Sequence, residues 1–154
     1  MSDLAYWQFD WTEKVFEKAA QTPHNQYLFL TKRPERLHIQ TDLDNLWFGV
    51  TVTCAAERER IEILRRNVKA KHYHVTFEPL SDGVGDVDFS DIGWTVIGTE
   101  TGNCKGKIPT KKEWVDNLHI QAKARGVPVF MKEALEGIMP ADKMIQEFPK
   151  EFGI

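Results

Sequence analysis

The chain has 154 residues, 42% of them hydrophobic and 28% charged, which fits a single soluble globular domain and excludes a disordered or low-complexity chain. Its net charge of −3 gives no global attraction for phosphate backbones or anionic membranes, although 20 Lys and Arg leave room for a local basic patch. Two cysteines, Cys54 and Cys104, an N-terminus without a basic and apolar leader, and no apolar run of membrane-spanning length imply a reduced cytoplasmic protein with both thiols free.

The first periodic segment is "DWTEKVFEKAAQ" (10–21), which predicts a helix with Asp10 as N-cap, Glu13 at the capping-box position, and Trp11, Val15, Phe16 and Ala19 on one face. "YLFLT" (27–31) then reads as a strand, and "RPERLHIQ" (33–40) as a short helix. A second strand, "LWFGVTV" (46–52), is followed by "CAAERERIEILRRNV" (54–68), a helix with Ile61, Leu64 and Val68 as its apolar stripe. "YHVTF" (73–77) is a third strand, and the Gly- and Asp-rich "SDGVGDVDFSD" is a loop. "WTVIG" (94–98) is a fourth strand. "TKKEWVDNLHIQAKARG" (110–126) is a helix opening on the capping box Thr110/Glu113 and closing on Gly126. "VPVFM" (127–131) is a fifth strand, and "ADKMIQEF" (141–148), after Pro140, reads as a terminal helix. Strands rich in β-branched and aromatic residues that alternate with helices predict an α/β fold with a parallel sheet of about five strands and right-handed crossovers.

In such a sheet every strand exits at the same edge, where α/β folds keep their sites. Four apolar runs end there on charge: "LFLTKRP" on Lys32 and Arg33, "HVTFEPL" on Glu78, "TVIGTETG" on Glu100, and "FMKEAL" on Lys132 and Glu133. Residues two apart share a face, so Lys32 joins Leu28 and Leu30, Glu78 joins His74 and Thr76, Glu100 joins Val96 and Gly98, and Lys132 joins Phe130. Singly, each is a polar rim residue holding a loop. Together, Glu78, Glu100 and Lys132 are candidates for proton transfer, and Lys32, Arg33, Thr51, Thr53 and Thr101 for binding a small polar or anionic ligand.

Other features point less far. "GTETGNCKGK" (98–107) lacks the Gly-rich fingerprints of phosphate loops, and the acidic loop lacks calcium-ligand spacing. His72 and His74 form an HxH pair with no third ligand in view, so no metal site is assigned. Cys54 opens a helix without a patterned base partner. Arg58, Arg60, Arg65, Arg66, Lys69 and Lys71, with "LTKRPERL", could form a nucleic-acid face. Interleaved Glu57, Glu59 and Glu62 instead suggest a solvated helix surface.

The strand endings also form a set. "LTKRPER", "WFGVTV", "FEPL", "IGTETG" and "FMKEAL", in that order, resemble the motifs LTKRPER, W-x-GVSVE, S-x-EPLL, W-x-x-x-GGESG and FFKQWG of an uncharacterised family of phage and prophage proteins that looks like radical-SAM barrels. The match runs roughly from Met1 to Leu135. Thr99 stands for the second Gly, Thr101 for the Ser, and Glu133-Ala134 for Gln-Trp, while Cys54 lies near a common acidic or amide position. The resemblance implies a single domain over 1–154 corresponding to the C-terminal part of a (β/α) barrel. The family's cysteine-rich, cluster-holding segment lies upstream of that part. No iron–sulfur ligands are present in this chain, so radical-SAM chemistry is not carried over and the cofactor stays unknown. A partial barrel has bare sheet edges, which implies a homodimer or a partner chain. Three readings follow: a ligand-binding pocket, a half-barrel subunit, and a nucleic-acid-binding protein.

Overall fold

The structure, a computed structural model, describes residues 3–102 and 105–154. β1 (Tyr27–Thr31), β3 (Leu46–Thr51), β5 (His72–Phe77), β6 (Ile92–Ile97) and β7 (Val129–Met131) form one parallel sheet in the order β1-β3-β5-β6-β7. Sheet order thus follows chain order. Two-residue strands β2 (Ile39–Gln40) and β4 (Val68–Lys69) pair separately, also in parallel.

The helices are α1 (Phe9–Gln21), α2 (Arg60–Asn67) and α3 (Lys112–Ala124). All three contribute to one core, in which Ala19, Ile61, Leu64, Val115, Leu118 and Ala122 meet Phe29, Phe48, Val75, Ile97 and Met131. Phe48 anchors it, stacked on Phe29 at 5.2 Å and edge-on to Phe16 at 6.0 Å. The opposite sheet face has a different cover. There Trp47, Trp94 and Val96 form a second cluster, packed by Phe130 and by Phe152 of the C-terminal tail. Trp94 also stacks on Phe148 at 5.9 Å.

Strand centres match the sequence reading, and the differences lie in the helices, whose ends shift and two of which, at 33–40 and 141–148, are replaced by 3-10 turns and extended chain. Helix α1 starts one residue before Asp10, with Gln8 in the extended N-cap position, so Asp10 lies in the first turn, where a carboxylate still complements the dipole. Trp11 is 48% exposed and off the core stripe. At the other end of α1, the buried Asn45 amide lies within hydrogen-bonding reach of the carbonyls of Ala19 (3.0 Å), Thr22 (3.2 Å) and Asn25 (2.9 Å), a capping device from a distant loop. The expected helix at 33–40 is only a 3-10 turn, Pro34–Arg36, followed by β2. The helix expected from 54 is interrupted: a 3-10 turn, Ala55–Glu57, precedes α2, and Val68 has passed into β4.

Thr110 does not cap α3. Lys111 holds the N-cap position, and the buried Thr110 hydroxyl instead donates to Leu80 O at 2.6 Å and lies 2.9 Å from the Thr99 hydroxyl. Gly126 does end α3, at φ +69°, with its N–H on Lys123 O.

The expected terminal helix is also absent at 141–148. Ala141–Lys143 is a 3-10 turn, and the following residues lie antiparallel to β7 through a bridge between Phe130 and Gln146. Met131 N–H donates to Ile145 O (2.7 Å) and Glu147 N–H to Val129 O (2.8 Å), while the Glu147 carboxylate accepts from Val129 N–H (3.2 Å). An edge strand leaves donors and acceptors unpaired, and satisfying them outweighs the weak helical pattern of "ADKMIQEF".

The Gly/Asp loop is held by arginines of the 58–65 stretch. Arg58 donates to Val84 O (3.1 Å) and Asp86 O (2.9 Å). Arg65 reaches the Asp88 carboxylate (2.9 Å), Asp88 O (2.9 Å), Ser90 O and Glu62. Replacing Arg65 with Ala strips these carbonyls of a donor. An unfolding free energy about 1–2 kcal/mol lower in urea titration is expected, with faster amide exchange confined to residues 84–90.

Candidate functional site

The strand-exit residues are positioned by a backbone ladder that continues past the strands. Val52 N–H bonds Thr76 O (3.0 Å), Gly98 N–H bonds Phe77 O (2.9 Å), and Lys132 N–H bonds Ile97 O (2.9 Å). Beyond it, Leu80 N–H bonds Gly98 O and Ser81 N–H bonds Thr53 O, both at 3.0 Å. The Glu78–Pro79 peptide bond between them is cis.

At the centre of this edge, Lys132 Nζ donates to Glu78 Oε2 at 2.5 Å, across the gap between β5 and β7. Gly98, just past the end of the intervening β6, lies beneath the pair. A Cβ there would come within 2.8 Å of the Glu78 carboxyl, so the space left by that glycine is filled by the carboxylate itself. Both side chains keep solvent contact, 46% exposed for Lys132 and 26% for Glu78.

The remaining candidates divide. Thr53 donates its N–H and its hydroxyl to Glu57 Oε2 (2.8 and 2.9 Å), and Arg60 donates to Glu57 (2.8 Å) and to Thr51 O (2.8 Å). Burial raises the Glu57 pKa, but the Thr53 hydrogen bonds and Arg60 outweigh it and hold the carboxyl below its ordinary value. Thr53 thus anchors a loop through Glu57, a residue that no strand-ending pattern singles out. Arg33 is exposed and pairs with Glu35 at 3.5 Å. Among the described residues, Lys32 and Glu100 form no ion pair, and Thr101 is exposed. Lys32 and Thr51 line a cavity of about 510 Å³ with Asp3, Trp7 and Leu30. The Lys32 N–H donates to Asp3 Oδ2 at 2.9 Å. Only Glu78 and Lys132, of the expected constellation, are in direct contact.

The histidines diverge. His72 stacks on Trp47 (4.5 Å between centroids) and lies 3.3 Å from the Asp44 carboxylate. His74 is 3% exposed, and its ring rests on Gly49, where a Cβ would come within 2.3 Å of it. His74 Nε2 lies 3.0 Å from Phe29 O. A carbonyl only accepts, so Nε2 carries the proton, and buried Nδ1 keeps an unpartnered lone pair. Burial is the larger effect and pushes the His74 pKa down to about 4, against the opposing hydrogen bond to the Phe29 carbonyl. No group of three or more His, Cys, Asp or Glu side chains among the described residues is arranged to hold a metal ion. Cys54 is a free, half-buried thiol, and Cys104 lies outside the described residues.

Arg58, Arg60 and Arg65 are spent on Glu57, Glu62, Asp88 and loop carbonyls, and Lys71 on Asp44 at 3.2 Å. Arg66 and Lys69, the other members of that set, are exposed. No helix among the described residues is long and apolar enough to cross a membrane.

No curated protein and no solved structure matches the chain. One family does, described as "Protein of unknown function (DUF5131)", over residues 1–153. A match of that extent shows descent, and the chain belongs to the DUF5131 family.

Proposed function

We propose that the strand-exit edge binds a small polar or anionic ligand, with Glu78 and Lys132 at its centre. The observation that carries this reading is the solvent-accessible ion pair over Gly98: a carboxylate and an ammonium from strands that are not neighbours, held by a continuous backbone ladder. The pair offers a hydrogen-bond acceptor and a donor, and nearby Lys32, whose ammonium lies in the field of Asp3 without a direct ion pair among the described residues, supplies a cation. A ligand with an anionic group for Lys32 and hydroxyl or amino groups for Glu78 and Glu100 fits this set. Thr51 and Thr101 would flank it, with Arg33 and Thr53 supporting the loops. Proton transfer between Glu78, Lys132 and a bound ligand is the catalytic form of the same proposal.

Melting curves with inorganic phosphate, adenosine monophosphate and a sugar phosphate test it. At least one probe at saturating concentration should raise the wild-type midpoint by several degrees. Lys132→Ala and Glu78→Gln should each abolish that shift while leaving the unliganded midpoint within about 2 °C, because an exposed pair contributes little to stability. Absence of any shift, or an equal shift in both variants, overturns the reading.

The partial-barrel architecture belongs to the same proposal. Its support is the sheet order following the chain and the placing of α1, α2 and α3 in one core, as in a (β/α) barrel cut open. The five strand-ending motifs support kinship with the phage-type, radical-SAM-like barrels. No step is taken from that chemistry, since neither cysteine belongs to a cluster motif. A second reading, assembly through an open sheet edge, rests on β1, whose outer side carries Leu28 and Leu30 at 44% and 38% exposure.

A further inference from the structure

The two ends of the sheet are unlike. At β7 the chain's own tail occupies the edge through Met131, Val129 and Glu147. At β1 the phase of the ladder determines what is left open. Tyr27 N–H points inward, to Asn45 O at 2.8 Å. Successive residues of a strand alternate sides, so Phe29 and Thr31 also face β3, while Leu28, Leu30 and Lys32 turn their N–H and C=O outward. Lys32 confirms this phase: its N–H goes to Asp3 and not to β3. Among the described residues the open edge is therefore the backbone of Leu28 and Leu30, whose side chains are exposed. The cavity of about 510 Å³ lined by Trp7, Val15, Leu28 and Leu30 runs along it.

We propose that this edge pairs with β1 of a second copy, antiparallel about a two-fold axis through Phe29. This rests on the assembly reading and names its partner and register. The axis sets Leu28 opposite Leu30 of the other copy, and both are outward residues. They can form a hydrogen-bonded antiparallel pair that exchanges both N–H···O=C bonds. The symmetry repeats the pair, so the outward N–H and C=O of both leucines in both chains are satisfied. The same register lays the exposed leucines against each other as cross-strand apolar pairs. The register sets Thr31 opposite Tyr27, and the paired stretch ends before Lys32, whose outward N–H is already held by Asp3, so no like charges face each other within it. Because the tail lies along β7, a two-fold contact at β1 leaves no uncovered edge of the five-stranded sheet among the described residues, and association through this sheet stops at two.

Sedimentation velocity across the micromolar range tests this on the full chain, with three proteins: wild type, Leu28→Lys/Leu30→Lys, and Leu28→Glu/Leu30→Glu. The wild type should form dimers. Each variant alone should be monomeric, its dissociation constant weakened at least tenfold, because like charges then face across the axis. An equimolar mixture of the two variants should recover a dimer, through Lys–Glu pairs at both positions. Both substitutions are at exposed positions, and unchanged circular dichroism confirms that each variant folds. A wild type that stays monomeric at every concentration overturns the proposal and leaves the edge to a strand of different origin. A dimer that survives in both variants, or variants that stay monomeric when mixed, overturns it too. None of these outcomes depends on ligand binding at Glu78 and Lys132, so the two proposals fail separately.

Discussion

Gly49→Ala is expected to lower the unfolding free energy by about 3 kcal/mol, the largest effect of any single methyl added to this sheet, with a midpoint roughly 6–12 °C lower. The cause is specific. The His74 ring spans from β5 across Gly49 to the carbonyl of Phe29 on β1, and an alanine Cβ would lie 2.3–2.5 Å from the ring's Cε1, Nε2 and Nδ1. The methyl cannot be accommodated unless the ring moves, and a displaced ring gives up its hydrogen bond inside the protein. Overpacking and the loss of a buried donor's partner therefore add. Urea titration of the purified variant measures the loss. A double variant, Gly49→Ala with His74→Ala, separates the two side chains: if the clash is the cause, the cost of the methyl should fall to a fraction of its value once the ring is gone. An unchanged cost in that background would refute the assignment.

The second large effect is on pH. His74 has a folded-state pKa of about 4, below its ordinary value of 6.5, because burial disfavours the imidazolium. Between those values the unfolded chain binds a proton that the folded chain refuses, so stability rises with pH through the window and is lost as pH falls. The full difference corresponds to about 3 kcal/mol by pH 4. Asp3, Asp44, Glu57 and Asp88 are also held below their ordinary carboxylate values, which already lie at the acid end of that window, so their contributions disappear mainly below it. Denaturant titrations at pH 7, 6, 5 and 4 should show the loss in the wild type. His74→Gln, which keeps an N–H donor within reach of Phe29 O and cannot titrate, should flatten the curve between pH 6.5 and 4. Parallel curves for the two proteins would mean that His74 does not control acid stability.

The strands are legible in the sequence because each is a short run of apolar, β-branched and aromatic residues bounded by charge or by Gly and Pro, and burial on a parallel sheet demands that composition. Helix ends are less legible. Asp10 and Thr110 have the right side chains for caps, but the caps fall on Gln8 and Lys111 because tertiary contacts decide where the chain turns. For Thr110 that contact is the Leu80 carbonyl, thirty residues away. The C-terminal segment fails for a related reason: its helical pattern is short, and β7 offers backbone partners that eight residues of helix cannot match.

At the site, parity along the strands is enough to bring Glu78 and Lys132 to one face. It says nothing about how far side chains reach. Glu57, four residues beyond Thr53, captures it, and Lys132 meets Glu78 without Glu100 joining them. The His74 bridge is invisible for the same reason. "HYHVTF" shows two histidines on one face, but only the register of Gly49 against His74 shows why one can lie flat and be buried while the other stacks on Trp47.

The tail over β7 has a further consequence. A molecule with one sticky side can only make couples, whereas one with two can queue indefinitely. The tail plates the last strand with residues 145–147 and screens Trp94 with Phe148 and Phe152, so on the proposed β1 pairing the sheet would keep one adhesive side among the described residues. Clipping the protein after Leu135 would restore the second, and the expected product is a growing ribbon in place of a discrete particle.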